Sequence, residues 1–271
     1  MKIPKVSIII PLYKPEREVF EKLKEMLKKQ TINAEIIESW NLPEVESMNA
    51  GIKKSKGEII VILEQDCVPE KEIWLEKLIK PLEDKNIAAT GSYLLLSEER
   101  WKKYSLLLRL LIIKERERED PTMNMRAPPT DIRACAYRKK DLIEVGMINE
   151  AVKFAPDADL SIKLRKRGRI VNAGVGVFHL HNQKNVSYTL KRLFSYSEGN
   201  GKMVRMHKTR LDNLGIRLLR ALPFFGFLLI IYGFPFKKYF YLFPIYMITA
   251  APAIHFVNIF GFWKGFFSKQ K

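Results

Sequence analysis

Glu58-Ile59-Ile60-Val61-Ile62-Leu63-Glu64-Gln65-Asp66 is an unbroken aliphatic run held between charges. Four β-branched residues and a leucine in succession fit a strand buried on both faces, not one that alternates between core and solvent. Its end is abrupt. Two carboxylates, one residue apart, leave the strand together, and in an open parallel sheet the space beyond the carboxyl ends of the strands is where ligands bind. A hard divalent cation with oxygen ligands, Mg²⁺ or Mn²⁺, suits such a pair, above all with phosphate oxygens completing its shell. An acid-x-acid triplet alone is weak, because acids after strands are often plain turn residues.

Outward from this run the chain alternates strand and helix. Upstream, Val6–Ile10 is a second continuous apolar run, ending at Pro11. Pro15 then opens a helix whose Val19, Phe20, Leu23, Met26 and Leu27 share one face. Residues 34–38 read as a short strand, Glu46–Ser55 as a helix, and Gly57 as its punctuation. Downstream, Pro69 precedes an amphipathic helix over Lys71–Leu82, and Ile87–Ser92 is the next strand. This rhythm predicts an α/β fold with a mostly parallel sheet flanked by helices. Further strands are expected at Asp131–Tyr137, Arg169–Ala173 and Val175–Leu180, with a helix over Asp157–Arg167 stopped by Gly168 as a C′ glycine. A leucine-rich stretch at 104–113, edged by Lys102, Lys103, Arg109 and Lys114, reads equally as domain core or as a membrane-facing helix. A basic helix is expected from about Ser187 to His207.

The last fifty residues differ in chemistry. Ala221–Phe236 and Tyr239–Phe262 carry no charge at pH 7, and only Lys237 and Lys238 separate them. The second run exceeds the roughly 20 residues that cross a bilayer and the first falls short of it. The pattern predicts a hydrophobic helical hairpin, spanning or re-entrant, over 211–271, behind a domain over 1–210. Buried core helices and a pair lying flat in the interface are the alternatives. The flanks carry Lys202, Arg205, Lys208, Arg210, Arg217 and Arg220 before the hairpin, and Lys264, Lys269 and Lys271 after it. That asymmetry puts the main domain on the cytoplasmic face of the membrane.

The 271 residues carry 47 Lys and Arg against 30 Asp and Glu, a formal charge of +17. Such an excess meets nucleic acid, an anionic membrane or phosphorylated substrates. No basic run interleaved with aromatics appears before the hydrophobic tail, and two cysteines allow no zinc-finger spacing, so a nucleic-acid partner is excluded. Cys67 and Cys135 are expected to be reduced, partly buried thiols of a cytosolic compartment. The N-terminus is expected to run straight into a strand, with no signal peptide ahead of it.

Five stretches now carry a resemblance: VSIIIPLYK at Val6–Lys14, SMNAGIKKSKGEIIVILEQDCVPE at Ser47–Glu70, ACAYRKKDLIEVG at Ala134–Gly146, PDADLSIKLRKRG at Pro156–Gly168 and FHLH at Phe178–His181. In order and spacing the chain resembles a family 2 inverting glycosyltransferase of the GT-A fold, close to rhamnosyltransferase-like and dolichol- or polyprenol-pathway members. The resemblance covers about residues 3 to 205. It implies a hexosyltransferase-type, metal-dependent enzyme. Such an enzyme moves a sugar, with inversion, from a UDP- or GDP-linked donor to a lipid-linked or polyprenyl-phosphate acceptor. By it, Pro11, Tyr13 and Glu38 line the nucleoside pocket, and Asn49 and Gly51 lie under the diphosphate. Gln65 lies with the donor, and Asp66, the last acid of the DxD motif, is the principal ligand of Mg²⁺ or Mn²⁺. Glu64 stands where the family usually has Asp, and binds the ion or touches the sugar. Asp157 matches the family's general base, with Asp159 as the fallback, while Pro156 replaces the usual Glu. His179 matches a histidine that completes the metal shell in some members, and His181 is structural or faces the acceptor.

Each of these residues has a plainer reading. Asp157 just after a proline suits a helix start by capping and dipole alone. His179 after a strand suits a buried histidine bonded to backbone, and Asn49 suits a turn cap. The two departures at Glu64 and Pro156 favour a second reading, a non-catalytic basic membrane-binding protein that keeps a nucleotide-sugar fold. A nucleotidyltransferase finds no support, because no glycine-rich, Arg-containing loop follows the first strand.

Overall fold

The computed structural model describes residues 5–118, 133–150, 156–180, 185–206 and 214–268. The chain divides into two compact units. One comprises residues 1–97, 118–152 and 156–181, and the other 98–117, 153–155 and 182–271. These units do not follow a single cut at residue 210.

In the first unit, strands β1 (Val6–Leu12), β2 (Glu35–Trp40), β3 (Ile59–Leu63), β4 (Cys67–Pro69), β5 (Ile87–Leu95), β6 (Ala134–Arg138) and β7 (Arg169–His179) form one seven-stranded sheet. Its order is β2-β1-β3-β6-β5-β7-β4. Every residue of β1 and β3 is buried, as their unbroken apolar runs require. The sheet is mixed. β1 pairs in parallel with β2 and β3, and β5 with β7, but β6 runs antiparallel to both β3 and β5, and β4 antiparallel to β7. The expectation of a mostly parallel sheet misses this reversal, because Ala134-Cys135-Ala136-Tyr137 has the pattern of a buried strand and no signature of direction.

Helices α1 (Arg17–Lys28), α2 (Glu44–Lys54), α3 (Trp74–Ile79), α6 (Lys139–Glu144) and α7 (Pro156–Leu164) belong to this unit. Val19, Phe20 and Leu23 of α1 join a core with β1, β3 and α3. Met48 and Ile52 of α2 join a second core with Ile9, Ile60, Ile62, Leu160 and Leu164. The helix expected over Lys71–Leu82 is α3 followed by a 3-10 turn at Lys80–Glu83 containing Pro81, whose ring cannot continue the α-helical ladder.

Two local expectations are corrected. Arg169–His179 forms one long strand instead of two; Gly174 adopts a left-handed φ of 69° and its N–H donates to Asn172 Oδ1 at 2.8 Å. The register against β5 slips at this point, so the glycine makes a bulge and not a strand break. Gly168 is not left-handed. A Cβ there would lie 2.4 Å from the Asn86 carbonyl, so the glycine allows close backbone contact between α7's exit and the β5 entry.

One relation of strands fixes the sheet's shape. β3 and β4 are third and seventh in the order, which in a flat sheet is about 19 Å at the usual strand spacing. The chain from Leu63 to Cys67 reaches at most about 14 Å fully extended, and the Cys67 N–H donates back to the Glu64 carbonyl at 3.0 Å. The sheet must curl, bringing its β7–β4 edge back toward β3.

The second unit contains α4 (Glu98–Lys103), α5 (Leu106–Arg118), α8 (Val186–Met206), α9 (Leu214–Arg220), α10 (Pro223–Tyr232), α11 (Phe236–Tyr239), α12 (Phe243–Ile248) and α13 (Ala250–Phe267). In α5, Leu108, Leu110, Leu111, Ile112 and Ile113 are buried and Leu106 and Leu107 exposed. α8 and α13 touch backbone to backbone: a Cβ on Gly201 or Gly265 would overlap the carbonyl of Phe262 or Glu198. Between them Glu198 accepts from Lys202 at 2.7 Å and Lys264 at 2.8 Å, which holds its carboxyl below the usual range. Among the described residues no single helix is long and apolar enough to cross a membrane. Phe236–Ile248 and Ala250–Phe267 qualify only as a pair, bent by 64°.

Candidate active site

The carboxyl ends of β1, β2 and β3 open on one cavity of about 630 Å³, lined by Pro11, Leu12, Tyr13, Asn41, Leu42, Pro43, Glu44, Glu64, Gln65 and Asp66. Two left-handed residues shape its rim, Lys14 with φ 45° and Asn41 with φ 61°. Asn visits this region readily and a lysine seldom does. Tyr13 is therefore presented outward, 65% exposed, with Lys14 Nζ 5.4 Å from its ring. Gln65 fastens this loop to β3's end by two hydrogen bonds, both to the Tyr13 backbone.

At the same turn, ligand atoms of Glu64, Asp66, Cys67 and His179 all lie within 4.8 Å of one another. The placement follows from the ladder: Cys67 of β4 pairs directly with His179 of β7, and the Leu180 N–H donates to the Asp66 carbonyl at 2.7 Å. His179 Nε2 is 3.6 Å from Asp66 Oδ2, and Arg133 Nη1 is 3.4 Å from Nδ1. With Arg133 donating to Nδ1, the ring proton sits on Nε2 and faces Asp66. Nε2 becomes an ion ligand only when that proton leaves and Arg133 turns aside. Oxygen, nitrogen and sulfur donors this close fit a divalent cation.

Of the residues singled out in the sequence, Pro11, Tyr13, Glu64, Gln65 and Asp66 share the cavity, and Glu64, Asp66 and His179 share the ion cluster. Three others are elsewhere. Glu38 is exposed on β2, outside the cavity lining, and its carboxylate accepts from Trp40 Nε1 at 3.2 Å. Asn49 is buried and its amide is fully used. Nδ2 donates to the Ile148 carbonyl at 2.8 Å and to Glu150 at 2.9 Å, and Oδ1 accepts from the Ile148 N–H at 3.2 Å. Gly51 faces Ile9, whose Cγ2 would be 2.4 Å from an added Cβ. Asn49 ties α2 to Ile148 and Glu150, Gly51 lets α2 pack on Ile9 of β1, and neither lines the cavity.

Asp157 occupies the first turn of α7 and is half-buried. Asp159, two residues on, is buried and paired with Lys163 Nζ at 2.8 Å, so the fallback base is already neutralised by a partner. His181 lies outside the described residues. Asn41, Leu42, Pro43, Glu44, Cys67 and Arg133 are additions that sequence reasoning did not single out. Cys67 had a signal, its place directly after Asp66, whereas Arg133 has no motif around it.

The model of the family described as glycosyl transferase family 2 matches residues 21–146. No curated protein matches the sequence. Among solved structures, the mannosyltransferase PcManGT from Pyrobaculum calidifontis, in complex with GDP-Man and Mn2+, aligns with a TM-score of 0.58 at 15% identity, over 94% of this chain and 87% of that one. GalNAc-T7 with UDP, GalNAc and Mn2+ aligns with a TM-score of 0.53 at 12% identity, over 80% of this chain and 50% of that one. At such identities the likeness is one of fold. The match to the family 2 model over residues 21–146, together with an α/β sheet that glycosyltransferases also use, supports a glycosyltransferase enzyme.

Proposed function

We propose that the chain transfers a sugar, with inversion, from a nucleoside-diphosphate sugar to a hydroxyl of a lipid-linked acceptor, with Mg²⁺ or Mn²⁺ as cofactor. One observation carries the reading: Glu64 and Asp66 belong at once to the cavity lining and to the cluster of ion-ligating atoms. A nucleoside in the cavity would meet Tyr13 and the Leu42-Pro43 wall, while its diphosphate would meet the acids only through a cation. Asp66 would be the principal ligand, with Glu64 and His179 beside it. The cation, when bound, offsets charge developing on the leaving diphosphate.

Asp157, as a carboxylate, would take the proton of the attacking acceptor hydroxyl on the face of the sugar opposite the diphosphate. Its half-buried position keeps it reachable. The buried Asp159–Lys163 pair is less suited to the task, because its carboxylate is engaged.

The acceptor reading rests on the second unit. Phe224, Tyr232, Phe240, Tyr241, Ile248 and Phe267 are each more than two-thirds exposed there, a large uncovered apolar surface. Lys237 and Lys238 stand exposed beside Phe236 and Phe240, as suits an anionic membrane surface. With 10 residues, α10 is about 15 Å long, half of a bilayer's hydrocarbon core, so a simple spanning hairpin is disfavoured against a re-entrant or interfacial one. The cytoplasmic leaflet is the side proposed, from the lysine and arginine bias of the flanks.

Calorimetric titration of the purified protein with UDP- and GDP-sugars, with and without Mn²⁺, tests the core of the reading. Metal-dependent donor binding is expected in the wild type and its loss in Asp66→Ala, with the far-ultraviolet dichroism of the two proteins alike. Turnover near the wild-type level in Asp66→Ala would remove the metal proposal. A protein that binds no donor at all would favour the inert membrane-binding alternative.

A further inference from the structure

We infer that Cys67 is a metal-ligating thiol. With Glu64, Asp66 and His179 it would make a closed four-ligand site for a borderline or soft divalent ion such as Zn²⁺ or Co²⁺. The inference deepens the proposed metal site and rests on it for the position of the ion.

The sulfur's position is the starting point. Cys67 is fully buried, and its Sγ faces Asp66 Oδ1 at 3.9 Å. Direct antiparallel pairing with His179 puts the thiol and the imidazole on the same side of the β4–β7 edge. A tetrahedral ion with bonds of about 2.0–2.3 Å sets its ligand atoms roughly 3.3–3.8 Å apart. The four donors, all within 4.8 Å of one another, therefore need to contract by about 1.5 Å at most. No backbone rearrangement is called for, since Cys67, Asp66 and His179 are already tied through one ladder.

The chemistry distinguishes two kinds of ion. Mg²⁺ and Mn²⁺ prefer oxygen, leave a neutral thiol alone and keep positions open for phosphate oxygens. Zn²⁺ and Co²⁺ bind thiolate well. On their binding the S–H bond breaks, an S–metal bond forms and the thiol proton passes to solvent, while the His179 proton shifts from Nε2 to Nδ1 as Arg133 turns aside. Four protein ligands then fill a tetrahedral shell, the arrangement of structural sites and not of catalytic ones. Such an ion leaves no position for the diphosphate. Zn²⁺ would accordingly compete with Mn²⁺ and block the donor, and Cys67→Ser would relieve the block.

The test is a titration of the full-length protein with Co²⁺ alone, followed by absorption spectroscopy. One equivalent is expected to give a near-ultraviolet thiolate-to-cobalt band together with the intense visible bands of four-coordinate Co²⁺. Cys67→Ser should lose the first band and Cys135→Ser should keep it. X-ray absorption of the Zn²⁺-loaded wild-type protein counts sulfur ligands without any substitution, so a Cys67→Ser protein that fails to fold does not weaken the test. Cobalt bound with weak six-coordinate bands and no thiolate band, or zinc with oxygen and nitrogen neighbours only, would overturn the inference and show Cys67 to be core packing. Mn²⁺-dependent donor binding is measured on the same protein. Its presence without a sulfur ligand removes only this inference, and its absence with a sulfur ligand removes only the transferase reading.

Discussion

Tyr13 and Gln65 exchange two hydrogen bonds: the Tyr13 N–H donates to Gln65 Oε1 at 2.9 Å, and Gln65 Nε2 donates to the Tyr13 carbonyl at 3.1 Å. The amide side chain acts here as a neighbouring peptide would, carrying the β1–β3 pairing past the end of both strands. It fixes the loop that forms one wall of the cavity, next to the two acids. Gln65→Ala is expected to weaken donor binding by roughly tenfold, about the worth of one net hydrogen bond, with little change in turnover at saturation. Calorimetry with Mn²⁺ and the donor, beside initial rates, separates the two. An unchanged affinity would mean that Tyr13 is held by its own backbone.

Asp157→Asn discriminates between acceptors. A sugar hydroxyl needs a base, so the substitution should cost on the order of a hundredfold or more in rate. A polyprenyl phosphate is already anionic and should be glycosylated at close to the normal rate. Parallel assays with the two acceptor classes in detergent make the comparison on one protein preparation.

Gly51→Ala separates packing from binding. The added Cβ would overlap Ile9 Cγ2, so the expected loss is about 1–3 kcal/mol in urea unfolding, the usual range for overpacking. Donor affinity should stay within twofold. A fall in affinity with stability unchanged would return Gly51 to the diphosphate site.

Glu35 gives a stability signature in pH. Ser7 Oγ donates to its carboxylate at 2.6 Å and the Lys56 N–H at 2.9 Å, and the first of these is the main reason its pKa lies below 4.5. A depressed folded pKa stabilises the fold above the unfolded value, and that contribution fades as pH falls through the folded one. Urea midpoints of wild type and Glu35→Gln should therefore differ at pH 7 and converge as the pH falls through the depressed folded value. Curves that run parallel over that range would contradict the assignment.

What the sequence disclosed, and what it hid, follows from the kind of signal each feature leaves. Val6–Ile10 and Ile59–Leu63 were legible because a strand buried on both faces must be apolar throughout, and both are buried at every residue. The acids at 64 and 66 were legible because a buried strand has to end before them. Strand direction was not, since β6 satisfies the same apolar pattern whichever way it runs. The burial of Asn49 was hidden as well. Its partners Ile148 and Glu150 are about a hundred residues away, and a satisfied amide reads in sequence like a free one. Cys67 looked like filler between Asp66 and Pro69, because only the ladder to His179 shows what it faces. In the C-terminal part the composition was plain. The breaks at residues 233–235, 240–242 and 249 lie within text whose only charges are Lys237 and Lys238, so helix lengths could not be read from it.

The short turn between the third and seventh strands of the sheet also has a mechanical meaning. Whatever binds there joins Leu63 of β3 to Val177–His179 of β7, strands with β6 and β5 between them in the sheet order. Occupancy should therefore be felt as a slowing of amide hydrogen exchange in Ile59–Leu63 and Val177–His179 together, while Glu35–Trp40 at the opposite edge exchanges as before. Loading the site and locking the curl of the sheet would be one event.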